Sequence, residues 1–130
     1  MNDYLSILGF ILIAASSIFE AAMDTLLFHY DKSIFNQDKY NQKFYNPTIS
    51  WINKWENVEL RKEKFLGSST IFVFTTDAWH LFKFFRNTLL FIGLPIITIG
   101  QINLILAMII ARIIYGIFFT IFFDKIFIKS

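Results

Sequence analysis

Residues 88 to 123 read TLLFIGLPIITIGQINLILAMIIARIIYGIFFTIFF, an almost unbroken apolar run that carries one proline, Pro95, one basic residue, Arg112, and one turn-forming tetrapeptide, Gly100-Gln101-Ile102-Asn103. A helix needs about 20 mostly apolar residues to cross a hydrocarbon layer of about 30 Å. The run is too long for one such helix, and it is too short for two unless the first borrows residues upstream of Thr88. The turn belongs at Gly100 to Asn103. One span is therefore predicted over about 77–99 and another over about 102–124. Pro95, two residues after Gly93, predicts a bend near the far end of the former.

The same length criterion finds a further span at about 4–28. The N-terminus has no basic n-region, and its apolar run continues past the small-residue cluster Ala14-Ala15-Ser16-Ser17, so this segment is expected to be a retained span rather than a cleaved signal. Composition agrees: of 130 residues, 55% are hydrophobic and 19% aromatic, and they are gathered into long runs instead of being dispersed as in a soluble core. The predicted fold is all-α. It is a single membrane domain over 1–130, with three transmembrane helices and an interfacial segment, 31–64, between the first and second.

Charge orients this arrangement. The 31–64 segment holds Lys32, Lys39, Lys43, Lys54, Arg61, Lys62 and Lys64, seven of the twelve basic residues, whereas the turn near Gly100 has no charge. Excess Lys and Arg stay on the cytoplasmic side, which predicts the N-terminus outside and the C-terminus, with Lys125 and Lys129, inside. Within the segment, Trp51, Trp55, Val58 and Lys62 fall at helical spacing, and a short surface helix is expected from near Thr48 or Ser50. Trp51, Trp55, Trp79, Tyr30, Tyr40 and Tyr45 suit an aromatic belt at the same interface. Gly67-Ser68-Ser69-Thr70 reads as a helix start, with Ser68 or Ser69 as the cap.

The absence of cysteine excludes a disulfide framework and a thiolate metal site. A net charge of +2, with basic residues mixed among acidic ones, gives no footprint for nucleic acid. No phosphate-binding glycine loop, zinc-protease helix or serine-nucleophile elbow occurs.

What remains is a set of ionisable groups at membrane depth. Such a group costs about 2.5 to 3.5 kcal/mol even on lenient insertion scales, so it is paired, solvated or used. Glu20 and Asp24 lie four apart near the end of the first span and share a helix face; Asp77 and His80 lie three apart at the start of the second. Antiparallel neighbours bring the two pairs to similar depth. Carboxylates combined with an i,i+3 acid-histidine pair are a ligand set that helical bundles use for metal ions. Asp24, Asp77 and His80, joined by His29 if the first helix unwinds there, are the expected ligands of a divalent metal ion. Glu20, Asp24, Asp77 and His80 are then the expected catalytic groups of a metal-dependent hydrolase acting on a lipid or other amphiphile.

Arg112 lies near the middle of the third span, where it cannot easily reach the headgroups, and Glu20, the deepest carboxylate, is its expected partner. Arg112 and Tyr115, which share a face, together with Lys83 and Arg86, are the expected substrate-binding residues; Lys83 and Arg86 can also snorkel toward the headgroups. Two further functions fit the same residues. In a homo-oligomeric ion or proton channel or carrier, Glu20, Asp24 and Arg112 would line a shared path, and in an accessory subunit the charges would merely pair. Three helices enclose little volume, so self-association in the bilayer is expected.

Overall fold

A computed structural model describes residues 3–100 and 103–129; the two central residues of the expected turn, 101 and 102, lie outside the described residues. Three long helices, α1 (Asp3–Phe28), α2 (Ala78–Ile99) and α3 (Leu104–Ile121), carry the apolar runs. The last continues through Phe122–Phe127 in a wider π-type winding, and all three are long and apolar enough to cross a membrane. Short polar side chains set two of their starts. Asp77, in extended conformation, accepts from the His80 amide at 2.9 Å, and Asn103 accepts from the Ile105 and Leu106 amides at 3.0 and 3.2 Å. Each satisfies donors that the first turn of a helix leaves without a partner. Pro95 lies inside α2, which continues to Ile99.

Helix α1 is the hub. Both α2 and α3 pack against it and barely meet each other. Its buried face includes Ser6, Gly9, Ile13, Ser17, Ala21 and Thr25, mostly small residues recurring every three or four positions. Small side chains let backbones approach where dispersion rather than water expulsion drives packing. Gly9 packs closely on Gly93 of α2, where a Cβ on Gly9 would lie 2.8 Å from the Gly93 carbonyl oxygen. Three of the buried hydroxyls find acceptors: Ser16 donates to the Arg86 carbonyl at 2.9 Å, while Ser17 and Thr25 donate back to Ala14 and Ala21 of their own helix, each at 2.7 Å; among the described residues the buried Ser6 hydroxyl has no partner.

The chain after α1 and the chain after α3 are tied together at one end of the bundle. Ile34 N donates to Phe127 O at 2.8 Å, Lys129 N donates to Lys32 O at 2.6 Å, and Ser33 pairs with Ile128. Under this junction Tyr30, Phe35 and Phe127 are buried with Ala21, Leu26 and Ala78.

The short helix expected from near Thr48 or Ser50 begins there but ends at Lys54, so Trp55, Val58 and Lys62 do not lie on it. Helical turns at Gln42–Tyr45, Pro47–Ser50 and Trp51–Lys54 give way to an antiparallel hairpin, β1 (Trp55–Asn57) with β2 (Lys62–Glu63), in which Trp55 faces Glu63. The physical reason is local. The Asn57 side chain accepts from the Leu60 amide at 2.9 Å, an Asx-type turn that competes with helix, and Arg61 takes a left-handed φ of 49°. Nor does Gly67-Ser68-Ser69-Thr70 start a helix. It is a turn whose Gly67 and Ser69 amides each donate to the Glu63 carboxylate at 3.0 Å, and whose Ser68 hydroxyl donates to Lys54 O at 2.7 Å. Gly67 has φ of 81°, a conformation that a side chain would strain.

Candidate functional site

Glu20 lies eight residues before the end of α1 and Arg86 eight after the start of α2. At about 1.5 Å of rise per residue, both sit roughly 12 Å inside the same end of the bundle. There they form an ion pair, about three quarters withdrawn from the surface on each side. The Tyr115 hydroxyl of α3 donates to the same Glu20 oxygen at 3.2 Å. Arg86 also donates through Nε and Nη2 to the Asn87 side-chain oxygen, at 3.1 and 2.8 Å, which fixes the guanidinium plane. One carboxylate thus joins all three helices. Its guanidinium partner supplies the charge that makes the burial tolerable.

This differs from the expected pairing of Glu20 with Arg112. Tyr115, about one turn further along α3 than Arg112, is the α3 residue that reaches Glu20, and Arg86 is turned toward α1. Among the described residues Arg112 makes no ion pair. It lines, with Glu20, Asp24, Arg86 and Tyr115, a cavity of about 400 Å³.

The α3 wall of this cavity has a regular construction. Arg112, Gly116 and Thr120 form one row at four-residue spacing, and Tyr115 and Phe119 form the adjacent row. Toward Leu104 the same rows continue as Met108 and Ala107, which with Leu94, Pro95 and Ile97 of α2 line an apolar groove of about 420 Å³. A single face of α3 therefore runs from an apolar groove into a charged cavity.

Other expected site residues lie elsewhere. Asp77, only 2% exposed, caps α2 through one carboxylate oxygen and holds His80 Nδ1 at 2.7 Å with the other. This fixes the imidazole orientation, with the Trp79 ring edge-on to it at 5.0 Å. His29 follows the end of α1 without the unwinding that would turn it toward Asp24: its amide donates to Thr25 O at 3.0 Å, and its ring lies edge-on to Phe123 at 5.4 Å. Lys83 stands over the Trp79 ring at 5.0 Å. Among the described residues, no three His, Asp or Glu side chains are grouped to hold a metal ion, so Asp24, His29, Asp77 and His80 do not converge as one ligand set. Both acid pairs lie toward the same end of the bundle, but Asp77 and His80 are engaged with each other and with the helix start.

The structure thus gathers Glu20, Asp24, Arg86, Arg112 and Tyr115, and leaves Asp77 with His80, and Lys83 with Trp79. Asn87, Gly116 and Thr120 belong to the site and were not singled out by sequence reasoning. The latter two could have been found by stepping four residues at a time from Arg112. The chain matches no protein-family model, no curated protein and no solved structure.

Proposed function

We propose that this chain is an integral membrane protein that binds an amphiphile, with the polar headgroup in the charged cavity and the hydrocarbon chain along the outer half of the α3 face. The observation that carries this reading is the continuity of the rows Leu104-Met108-Arg112-Gly116-Thr120 and Ala107-Tyr115-Phe119 from an apolar groove into a cavity holding two guanidinium groups and two carboxylates. With Glu20 engaged by Arg86, the Arg112 guanidinium is available to a phosphate or carboxylate of the ligand, which it can hold bidentately. Asp24 supplies an acceptor for a hydroxyl or ammonium group of the same headgroup. A ligand anion there also relieves the cost of an arginine at membrane depth.

The metal-dependent hydrolase expected from the sequence uses the same amphiphilic substrate class but requires Asp24, Asp77 and His80 to act together. Binding needs only the residues that line the cavity, which is why we favour it. In the proposed topology the 31–64 segment and the C-terminus are cytoplasmic and the N-terminus is outside. A cysteine at Asn41 should then be labelled by an impermeant thiol reagent only after lysis, and labelling of intact cells would reverse the orientation. Self-association across the exposed apolar faces of α2 and α3 belongs to the same proposal.

Quantification of phospholipid that stays with the full chain in a maltoside detergent tests the binding reading. About one lipid per chain is expected for the wild type and a clear loss in an Arg112→Met variant. Equal retention by both proteins would refute it.

A further inference from the structure

Outside the three long helices, a second polar cavity of about 260 Å³ is assembled from four separate stretches of the chain, with Lys43, Phe44, Asn53, Lys64, Thr75 and Thr76 among its walls. Its framework is held by specific bonds. The Asn53 side-chain amide donates to the Lys43 carbonyl and, at 3.1 Å, to the Thr76 carbonyl, tying the 42–45 turn to the approach to α2. The fully buried Ser68 hydroxyl accepts from Lys64 N at 3.2 Å and donates to Lys54 O at 2.7 Å, which fixes the other lysine's backbone.

Two ammonium groups and no carboxylate line this cavity. Three acids of neighbouring segments are engaged elsewhere, Glu63 with the 67–69 turn, Glu56 with Lys62 at 2.6 Å, and Asp77 with His80, while Asp38 and Glu59 do not line the cavity. Among the described residues neither Lys43 nor Lys64 has an ion-pair partner. The cavity therefore has two exposed lysines without an ion-pair partner at its edge and the Asn41 and Asn53 side-chain amides beside them. Phe65, which also lines it, is partly exposed, and Leu66 next to it is 91% exposed, giving the rim an apolar edge.

We propose that this pocket binds a phosphate group, carried either by an anionic lipid headgroup or by a small soluble phosphate. Lysine ammonium groups act as point charges that suit a phosphate from several directions, and the side-chain NH2 of Asn41, whose oxygen accepts from Lys43 N, adds a neutral donor; the Thr75 and Thr76 hydroxyls already donate to Phe72 O and Val73 O. The site uses none of the residues of the intramembrane cavity and stands or falls separately from it.

Calorimetric titration of the full chain in an uncharged maltoside detergent, first with inorganic phosphate and then with dioctanoyl phosphatidic acid, tests the proposal. A Lys43→Met/Lys64→Met variant should bind at least about tenfold more weakly, because both charged donors are removed. Arg112→Met should keep the lysine-dependent affinity. Lysine-dependent binding of phosphatidic acid alone identifies a lipid headgroup as the source; equal binding of inorganic phosphate identifies a soluble one; either result supports the pocket. Should the double variant lose its cooperative melting curve, the single variants Lys43→Met and Lys64→Met replace it, each expected to weaken binding several-fold, with Lys43→Arg/Lys64→Arg retaining it. Absence of saturable binding by either ligand, or wild-type affinity in the methionine variants, would overturn the proposal.

Discussion

Arg86 of α2 donates to Glu20 of α1 although the two residues are 66 positions apart in the chain, and Tyr115 of α3 donates to the same carboxylate oxygen. Breaking a buried pair on one side leaves an uncompensated charge, typically at a cost of about 3 to 5 kcal/mol. Arg86→Met should therefore destabilise the folded protein strongly. Combining it with Glu20→Gln should recover part of the loss, because the two sites are coupled. Arg112→Met in the same assay should be milder, since no carboxylate is left without its partner. Reversible unfolding in mixed detergent micelles measures the wild type, both single variants of the pair, the double variant and Arg112→Met, and strictly additive losses for Arg86→Met and Glu20→Gln would contradict the pairing.

The contact of Gly9 with Gly93 predicts a second asymmetry. A Cβ at Gly9 would overlap Ile97 Cγ1 and press on the Gly93 carbonyl, whereas one at Gly116 meets only Arg112 Nη1 at 3.4 Å. Overpacking a close contact costs about 1 to 3 kcal/mol. Gly9→Leu should lower the midpoint of thermal unfolding clearly and Gly116→Ala should leave it nearly unchanged. A tolerated Gly9→Leu would mean that α1 and α2 do not approach at this point.

Asp77 makes its strongest local contribution as a cap. Asp77→Ala should destabilise the protein by about 0.5 to 2 kcal/mol, and Asp77→Ser, which keeps a capping oxygen but removes the carboxylate, should restore most of the loss. If serine rescues nothing, the carboxylate acts through His80 or through a ligand rather than through the helix start. Divalent ions added to each variant give the complementary readout. A metal-dependent rise in the melting temperature that vanishes in Asp77→Ser would favour the hydrolase expectation over the cap.

Glu63 gives a pH dependence outside the spans. Hydrogen bonds from the Ser69 hydroxyl and from the Gly67 and Ser69 amides hold its carboxyl below the ordinary value of 4.5. Because the folded value is the lower one, the stabilisation is fully present above pH 4.5 and is lost as pH falls from there through the lowered value. Hydrogen exchange at the Gly67 and Ser69 amides, corrected for intrinsic rates, should accelerate in that window. Glu63→Gln should remove the pH dependence. An unchanged profile in that variant would assign it to another group.

The spans were legible because hydrocarbon thickness dictates length and composition, and residues 4–28 and 77–99 fall within a residue of α1 and α2. The third was read three residues short at its far end, where the helix carries on past the charged pair Asp124 and Lys125 in the wider winding of Phe122–Phe127. The hairpin was missed because Trp51, Trp55, Val58 and Lys62 mimic a helical period; the deciding groups were Asn57, Gly67 and Glu63, whose hydrogen bonds leave no periodic trace. At the site, depth could be read and rotation could not. Glu20, Arg86 and Arg112 all lie at suitable depths, and only the way each helix turns its face toward α1 selects Arg86 as the partner. Asp77 and His80 illustrate the same ambiguity, since an i,i+3 acid-histidine spacing serves a helix cap as well as it serves a metal.

The central claim is that one face of α3 holds an amphiphile with its headgroup at Arg112. Photocrosslinking measures this directly, using a phospholipid that carries a diazirine midway along one acyl chain and the full protein reconstituted in uncharged bilayers. Adducts should concentrate on Leu104 and Met108 of α3 and on the facing residues Leu94 to Ile97 of α2, persist in Arg112→Lys, and fall to background in Arg112→Met. Labelling spread evenly over the exposed faces of all three helices, with no change in Arg112→Met, would contradict it.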